Sequence, residues 1–166
     1  MSRAFVKEDD GSQPEILPDR PISTLPNLMT PAGHQQMTQQ LAQLERELAQ
    51  LKHNDDLSQL SRRPQLERDI RYYRARLQSA IVSKPPPITA SIVTQAAFGC
   101  TVTFVDEAEQ EWRYQIVGED EADVKQHKIS WTSPLAKALL DKEEGEDTQW
   151  QKPNGAVTIH ILKIDV

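Results

Sequence analysis

Apolar residues recur at helical spacing in two stretches of the first half of the chain. Met37, Leu41, Leu44, Leu48 and Leu51 follow at intervals of four, three, four and three, and Leu66, Ile70, Tyr73, Leu77 and Ala80 repeat the series. Each set is a coiled-coil seam of about two heptads. Thr30-Pro31 reads as an N-cap followed by proline at the first helical position, where the missing N–H costs nothing. A short polar link, Lys52 to Gln65, joins the two stretches, and Pro64 opens the second. Neither helix can bury its stripe alone, so the pattern predicts an antiparallel hairpin over residues 30–84. In that hairpin Leu51 faces Leu66 and Met37 faces Ala80.

The pattern changes on either side. Residues 1–29 hold Pro14, Pro18, Pro21 and Pro26 with little apolar periodicity, which predicts an extended arm. Pro85, Pro86 and Pro87 begin a stiff linker over 85–97. Over 98–166 the apolar runs become short, β-branched and aromatic: Cys100–Val105, Trp112–Val117, Lys128–Trp131 and Val157–Ile164. Turn candidates lie at Asp106–Glu111 and Pro153-Asn154-Gly155. Ser133-Pro134 caps one short helix carrying Leu135, Ala136, Ala138, Leu139 and Leu140. The fold class is α+β: a helical hairpin, then a small antiparallel β domain with one short helix.

Composition narrows the function. The 166 residues carry a net charge of -6, 37% hydrophobic residues and a mean hydropathy of -0.62. The charge is segregated. Residues 30–84 hold nine basic and six acidic groups, whereas residues 85–166 hold seven basic and fourteen acidic. That disfavours nucleic-acid binding by the whole surface and suggests two modules with different partners. No apolar run is long enough to span a bilayer, and the opening residues turn acidic at Glu8, Asp9 and Asp10, so the expectation is a cytoplasmic protein without membrane contact. The lone Cys100 and the scattered His34, His53, His127 and His160 offer no metal-ligand spacing. No phosphate loop, nucleophile elbow or catalytic triad spacing is present, so the chain is read as not an enzyme in its own right.

Two features carry candidate chemistry. The second seam and its approach hold Arg62, Arg63, Arg68, Arg71, Arg74 and Arg76. These are either a solvated flank paired with Glu67 and Asp69, or a stripe that grips phosphate backbone. The hairpin tip, His53 to Leu60, is either a turn capped by Asn54, Asp55 and Asp56, or an acidic point able to share a hard cation such as Mg²⁺.

Taken together, residues 30–166 resemble the bacterial Gre transcript-cleavage factors. The resemblance is carried by Phe98-Gly99-Cys100-Thr101-Val102-Thr103, by Tyr114 to Asp123, and by Ile129 to Leu140, three blocks in the family's order, with Pro153-Asn154-Gly155 as the late turn. It implies an FKBP-like C-terminal domain that docks on RNA polymerase at the rim of the secondary channel. Asp120, Asp123, Ser133, Pro134 and Ala136 match the docking surface. It also implies a coiled coil pushed down that channel, with Arg62, Arg63, Arg68, Arg71 and Arg74 against the transcript RNA, DNA or the channel wall. The family's tip pattern, Asp-x-x-Glu-Asn, helps the polymerase hold its second Mg²⁺ and activate water.

Laid on that pattern, Asp56 takes the Asp position, Gln59 stands where Glu is expected and Leu60 where Asn is expected; Asp55 adds a neighbouring carboxylate. Each arm is also about one heptad shorter than the family's, which withdraws the tip by on the order of 10 Å. The first expectation is therefore a monomeric polymerase-binding factor that modulates elongation or initiation without efficient cleavage, with no cofactor beyond Mg²⁺ shared with the polymerase. The alternatives are an active cleavage factor using Asp55 and Asp56, and a regulator linked to nucleoside diphosphate kinase, as in the shortened Rnk group.

Overall fold

The computed structural model describes residues 16–51, 61–85 and 95–166. The tip residues Asp55, Asp56 and Gln59, and most of the proline linker, lie outside the described residues. The elements in chain order are β1 (Leu28–Met29), α1 (Pro31–Leu51), α2 (Arg63–Gln78), β2 (Ile81–Val82), β3 (Thr101–Asp106), β4 (Glu111–Val117), β5 (Lys128–Ser130), α3 (Pro134–Leu139), β6 (Asp147–Lys152) and β7 (Gly155–Asp165). Two single 3-10 turns, Glu119–Glu121 and Val124–Gln126, fill the connection between β4 and β5.

The two seams close on each other as an α-helical hairpin. Leu44, Leu51, Leu66 and Ile70 form its buried core, flanked by Leu41, Leu48 and Tyr73. The Thr30 hydroxyl accepts the Gly33 N–H at 3.0 Å, so the cap expected at Thr30-Pro31 is made. The expected pairing of Met37 with Ala80 is corrected. α2 stops at Gln78, where the Ser79 N–H folds back onto the Ala75 carbonyl, so Ala80 lies past the helix and outside the seam.

The sheet runs in the order β5-β4-β3-β7-β6. Val102, Phe104, Ile116, Ile129, Ile159 and Ile161 point into one core, which Leu135, Ala136 and Leu139 of α3 cover. Phe104 sits between Tyr114, stacked at 6.4 Å, and Trp150, edge-on at 6.2 Å. Alternation along β7 breaks between Ile161 and Ile164, because the register shifts opposite Thr103 and Phe104 and an extra residue is accommodated there. Ala96 is fully buried in this core, so the linker expected through residue 97 ends earlier.

Two further features differ from expectation. β5 pairs with β4 in parallel, because the two 3-10 turns return the chain to the sheet edge in its original direction. β6 carries no strand signal because Asp147 to Lys152 is polar; it is an edge strand in which only alternate residues are partly covered. Phe104→Ala should cost about 3–5 kcal/mol, read as a lower midpoint in urea unfolding at unchanged slope.

Candidate functional site at the root of the hairpin

The arm, the hairpin and the sheet domain meet at one place. β1 pairs in parallel with β2, joining Leu28 to Ile81 and Met29 to Val82, so the chain enters and leaves the hairpin side by side. Asn27 ties the entry down: its Nδ2 donates to the Arg76 carbonyl at 2.7 Å and to the Ser79 hydroxyl at 3.0 Å, and its carbonyl accepts the Ile81 N–H at 2.8 Å.

The 3-10 turn after β4 then supplies three consecutive carboxylates. Among the described residues Arg76 is the only charged one that is buried; it is 2% exposed. Its Nε donates to Asp120 Oδ2 at 2.5 Å, and its Nη2 lies 3.8 Å from Glu119. The Tyr72 hydroxyl donates to the other Asp120 oxygen. Burial first, and then this bond to an anion, push the Tyr72 hydroxyl up to about 12. Glu121 accepts the Thr30 N–H at 2.9 Å and the Gly118 N–H at 3.1 Å, and also binds the Thr30 hydroxyl. Gly33 packs directly on the Glu121 carboxylate, so a Cβ there would collide with it. Sequence reasoning missed Glu121; the available signal was Gly33, a glycine in a first helical turn where alanine is the better helix former.

The expected docking residues separate. Asp120 is spent on the hairpin, its side chain only 13% exposed. Ala136 is fully buried under the sheet and cannot touch a partner. Asp123 caps the second 3-10 turn, accepting the Lys125 N–H at 2.9 Å and the Gln126 side chain at 3.0 Å. Ser133 caps α3 by accepting the Ala136 N–H at 3.2 Å, and Pro134 is exposed. Val124 is an apolar side chain 69% exposed on the same loop as Asp123.

The arginines are not brought together as one free stripe. Arg62 reaches Glu47 at 3.6 Å, Arg63 pairs with Glu67 at 2.8 Å, and Arg74 binds Glu45 at 2.5 Å. Arg68 lies 3.6 Å from Asp69, and Arg71 pairs with Asp19 of the arm at 2.7 Å. Among the described residues no group of acidic, histidine or cysteine side chains could hold a metal ion. Cys100 is sealed in the core, where burial raises its thiol and leaves it unreactive.

Comparison with known proteins decides the family. Residues 91–166 match the family described as transcription elongation factor, GreA/GreB, C-terminal. Transcription elongation factor GreA of Francisella philomiragia is 34% identical over 153 residues, covering 82% of this chain and 94% of that protein. The chain belongs to the GreA/GreB family. GreA of Hyphomonas neptunium is 51% identical over a shorter stretch of 72 residues, 43% of this chain and 46% of that protein. A solved GreA/GreB from Nitrosomonas europaea is 25% identical over 84% of this chain and 98% of that one, with a TM-score of 0.41. The α+β architecture of this GreA/GreB chain stands on its own hairpin and sheet. Membership among proteins named GreA overturns the expectation of no enzymatic role. Those relatives are named transcription elongation factor GreA, and the Gre resemblance implies stimulated hydrolytic cleavage of the transcript.

A double-mutant cycle on Arg76→Ala and Asp120→Ala should show strong coupling. Losing the arginine alone should destabilise by about 1–3 kcal/mol, because it leaves the partly covered Asp120 and Glu119 without their counter-charge. Tyr72 should titrate near pH 12 by its phenolate absorbance, against 10 for an ordinary tyrosine. Its contribution to stability is complete below pH 10, where both states are protonated. It falls as pH rises toward 12, where only the unfolded chain ionises.

Proposed function

We propose that the chain docks on RNA polymerase through its C-terminal domain and sends the hairpin into the secondary channel, where the tip supports transcript cleavage at low efficiency. The observation that carries this reading is the rigid root. A probe that must place a carboxylate near a metal needs its base held fixed, since errors of about 1 Å are costly in such chemistry. Arg76, Tyr72, Asp120, Thr30 and Glu121 hold the hairpin on the sheet domain through charge-assisted bonds, of which the Arg76 side is buried. Family membership supports the polymerase as partner.

In this reading Asp55 and Asp56 supply carboxylate oxygens to a Mg²⁺ ion held mainly by the polymerase, which takes oxygen ligands. Gln59 brings a ligand without charge and Leu60 brings none, which weakens the activation of water. The docking contacts are Asp123, Ser133, Pro134 and the exposed Val124, beside the two caps that shape that surface. The factor acts as a cytoplasmic monomer, its apolar seam closed within one chain. No helix among the described residues is long and apolar enough to cross a membrane.

Titration against core polymerase with a GreA factor as competitor tests the docking. Competition is expected, and no binding removes the reading. Recovery of a nucleoside diphosphate kinase without polymerase subunits would favour the kinase-linked alternative instead. On backtracked complexes, Asp55→Ala with Asp56→Ala should abolish stimulated cleavage. Gln59→Glu should raise it by on the order of tenfold. Unchanged rates in both variants would take the tip out of the reaction.

A further inference from the structure

The arm does more than enter the hairpin. Ten residues before β1, Leu17 to Arg20 run against α2. Asp19 Oδ1 accepts from Arg71 Nε at 2.7 Å, and the Leu17 carbonyl accepts from Arg71 Nη2 at 3.2 Å. Arg20 lies over the Tyr72 ring at 3.8 Å and reaches Asp69 at 3.5 Å. Arg68, one turn before Arg71 on the same face, has an Nε shielded from solvent with no hydrogen bond, 3.6 Å from Asp69.

Arg71 therefore differs from its neighbours. Arg62, Arg63, Arg68 and Arg74 have their acidic contacts within the hairpin, and Arg76 has its own in the root. Among the described arginines of α2, Arg71 alone takes its carboxylate from the arm. It is offered two oxygens on two of its nitrogens, as a phosphate group offers them to a guanidinium.

We propose that the chain's own arm masks, through Asp19, the α2 face carrying Arg68 and Arg71 against single-stranded nucleic-acid backbone. The proposal rests on the reading of the hairpin as an element that meets nucleic acid. The mask is built to lift. Asp19 and Arg71 are 74% and 43% exposed, so their pair is weak and screened by salt. The firm anchor of the arm begins only at Asn27 and β1, so residues 17–20 can leave with the β1–β2 clasp intact, giving up the Arg20 contact with the Tyr72 ring. A polyanion presenting several phosphates gains from counterion release, which a single carboxylate cannot match.

The test is fluorescence anisotropy of the full chain with labelled oligouridylate and oligothymidylate of equal length at low salt. Asp19→Ala should tighten binding about two- to fivefold. The gain should shrink as salt rises and disappear when Arg71→Ala is added. Asp147→Ala removes an equally exposed carboxylate on the distant β6 and controls for net charge. Equal gains from Asp19→Ala and Asp147→Ala, or a gain that survives loss of Arg71, overturn the proposal. Weaker binding on Arg71→Ala with no effect of Asp19→Ala keeps the face and removes the mask, which also overturns it. A gain on both probes places recognition at the shared phosphodiester, and a gain on the RNA alone narrows it to transcript. Polymerase is absent from the assay, so failure here leaves the docking reading to its own titration.

Discussion

A guanidinium buried to 2% exposure governs how the two halves of this protein are joined. Removing a charge from water costs several kcal/mol, and only close, well-directed counter-charges offset it. Arg76 finds them in Asp120 and Glu119, on a turn that belongs to the other domain. The arginine cannot be satisfied unless the turn is in place, and Asp120 loses its strongest partner if the hairpin swings away. Tyr72 adds a second donor to the same carboxylate, so the joint is specified in direction as well as in contact.

Glu121 extends the constraint to the first helix. One carboxylate receives the Thr30 N–H, the Thr30 hydroxyl and the Gly118 N–H. Thr30 in turn caps α1, so the start of the helix and the turn of the sheet domain are built from shared bonds. Gly33 and Gly118 leave room for this approach, Gly118 against the Leu28 carbonyl and Gly33 against Glu121 itself. A hairpin held at both helices by one tripeptide, Glu119-Asp120-Glu121, has little freedom to pivot.

Much of this architecture is legible in the residues themselves. The alternating intervals of four and three from Met37 and from Leu66 yield the hairpin, and Thr30-Pro31 and Ser133-Pro134 mark their helix starts because capping is local chemistry. What escapes is whatever depends on distant partners. Asp147 to Lys152 is too polar to read as a strand, and it pairs only because β7 is beside it. The parallel placement of β5 depends on two turns whose path no short pattern encodes. The site suffers most for the same reason. Asp120 on an acidic loop reads as a surface for a partner, yet its partners are Arg76 and Tyr72, some forty residues earlier in the chain. Arg71 reads as part of a flank paired with Glu67 and Asp69 or of a phosphate-gripping stripe, yet an aspartate fifty-two positions away reaches it.

The short parallel pairing of β1 with β2 has a consequence for the length of the hairpin. It sets Leu28 and Met29 beside Ile81 and Val82, with the Ser83 N–H on the Met29 carbonyl, so everything between them is an excursion that starts and finishes at the same clasp. Chain added to or removed from such an excursion changes neither the clasp nor the domain beneath it, and longer closed loops cost only slowly increasing entropy. The hairpin can thus be lengthened or trimmed by whole heptads as a cassette, with its reach tuned independently of its mounting.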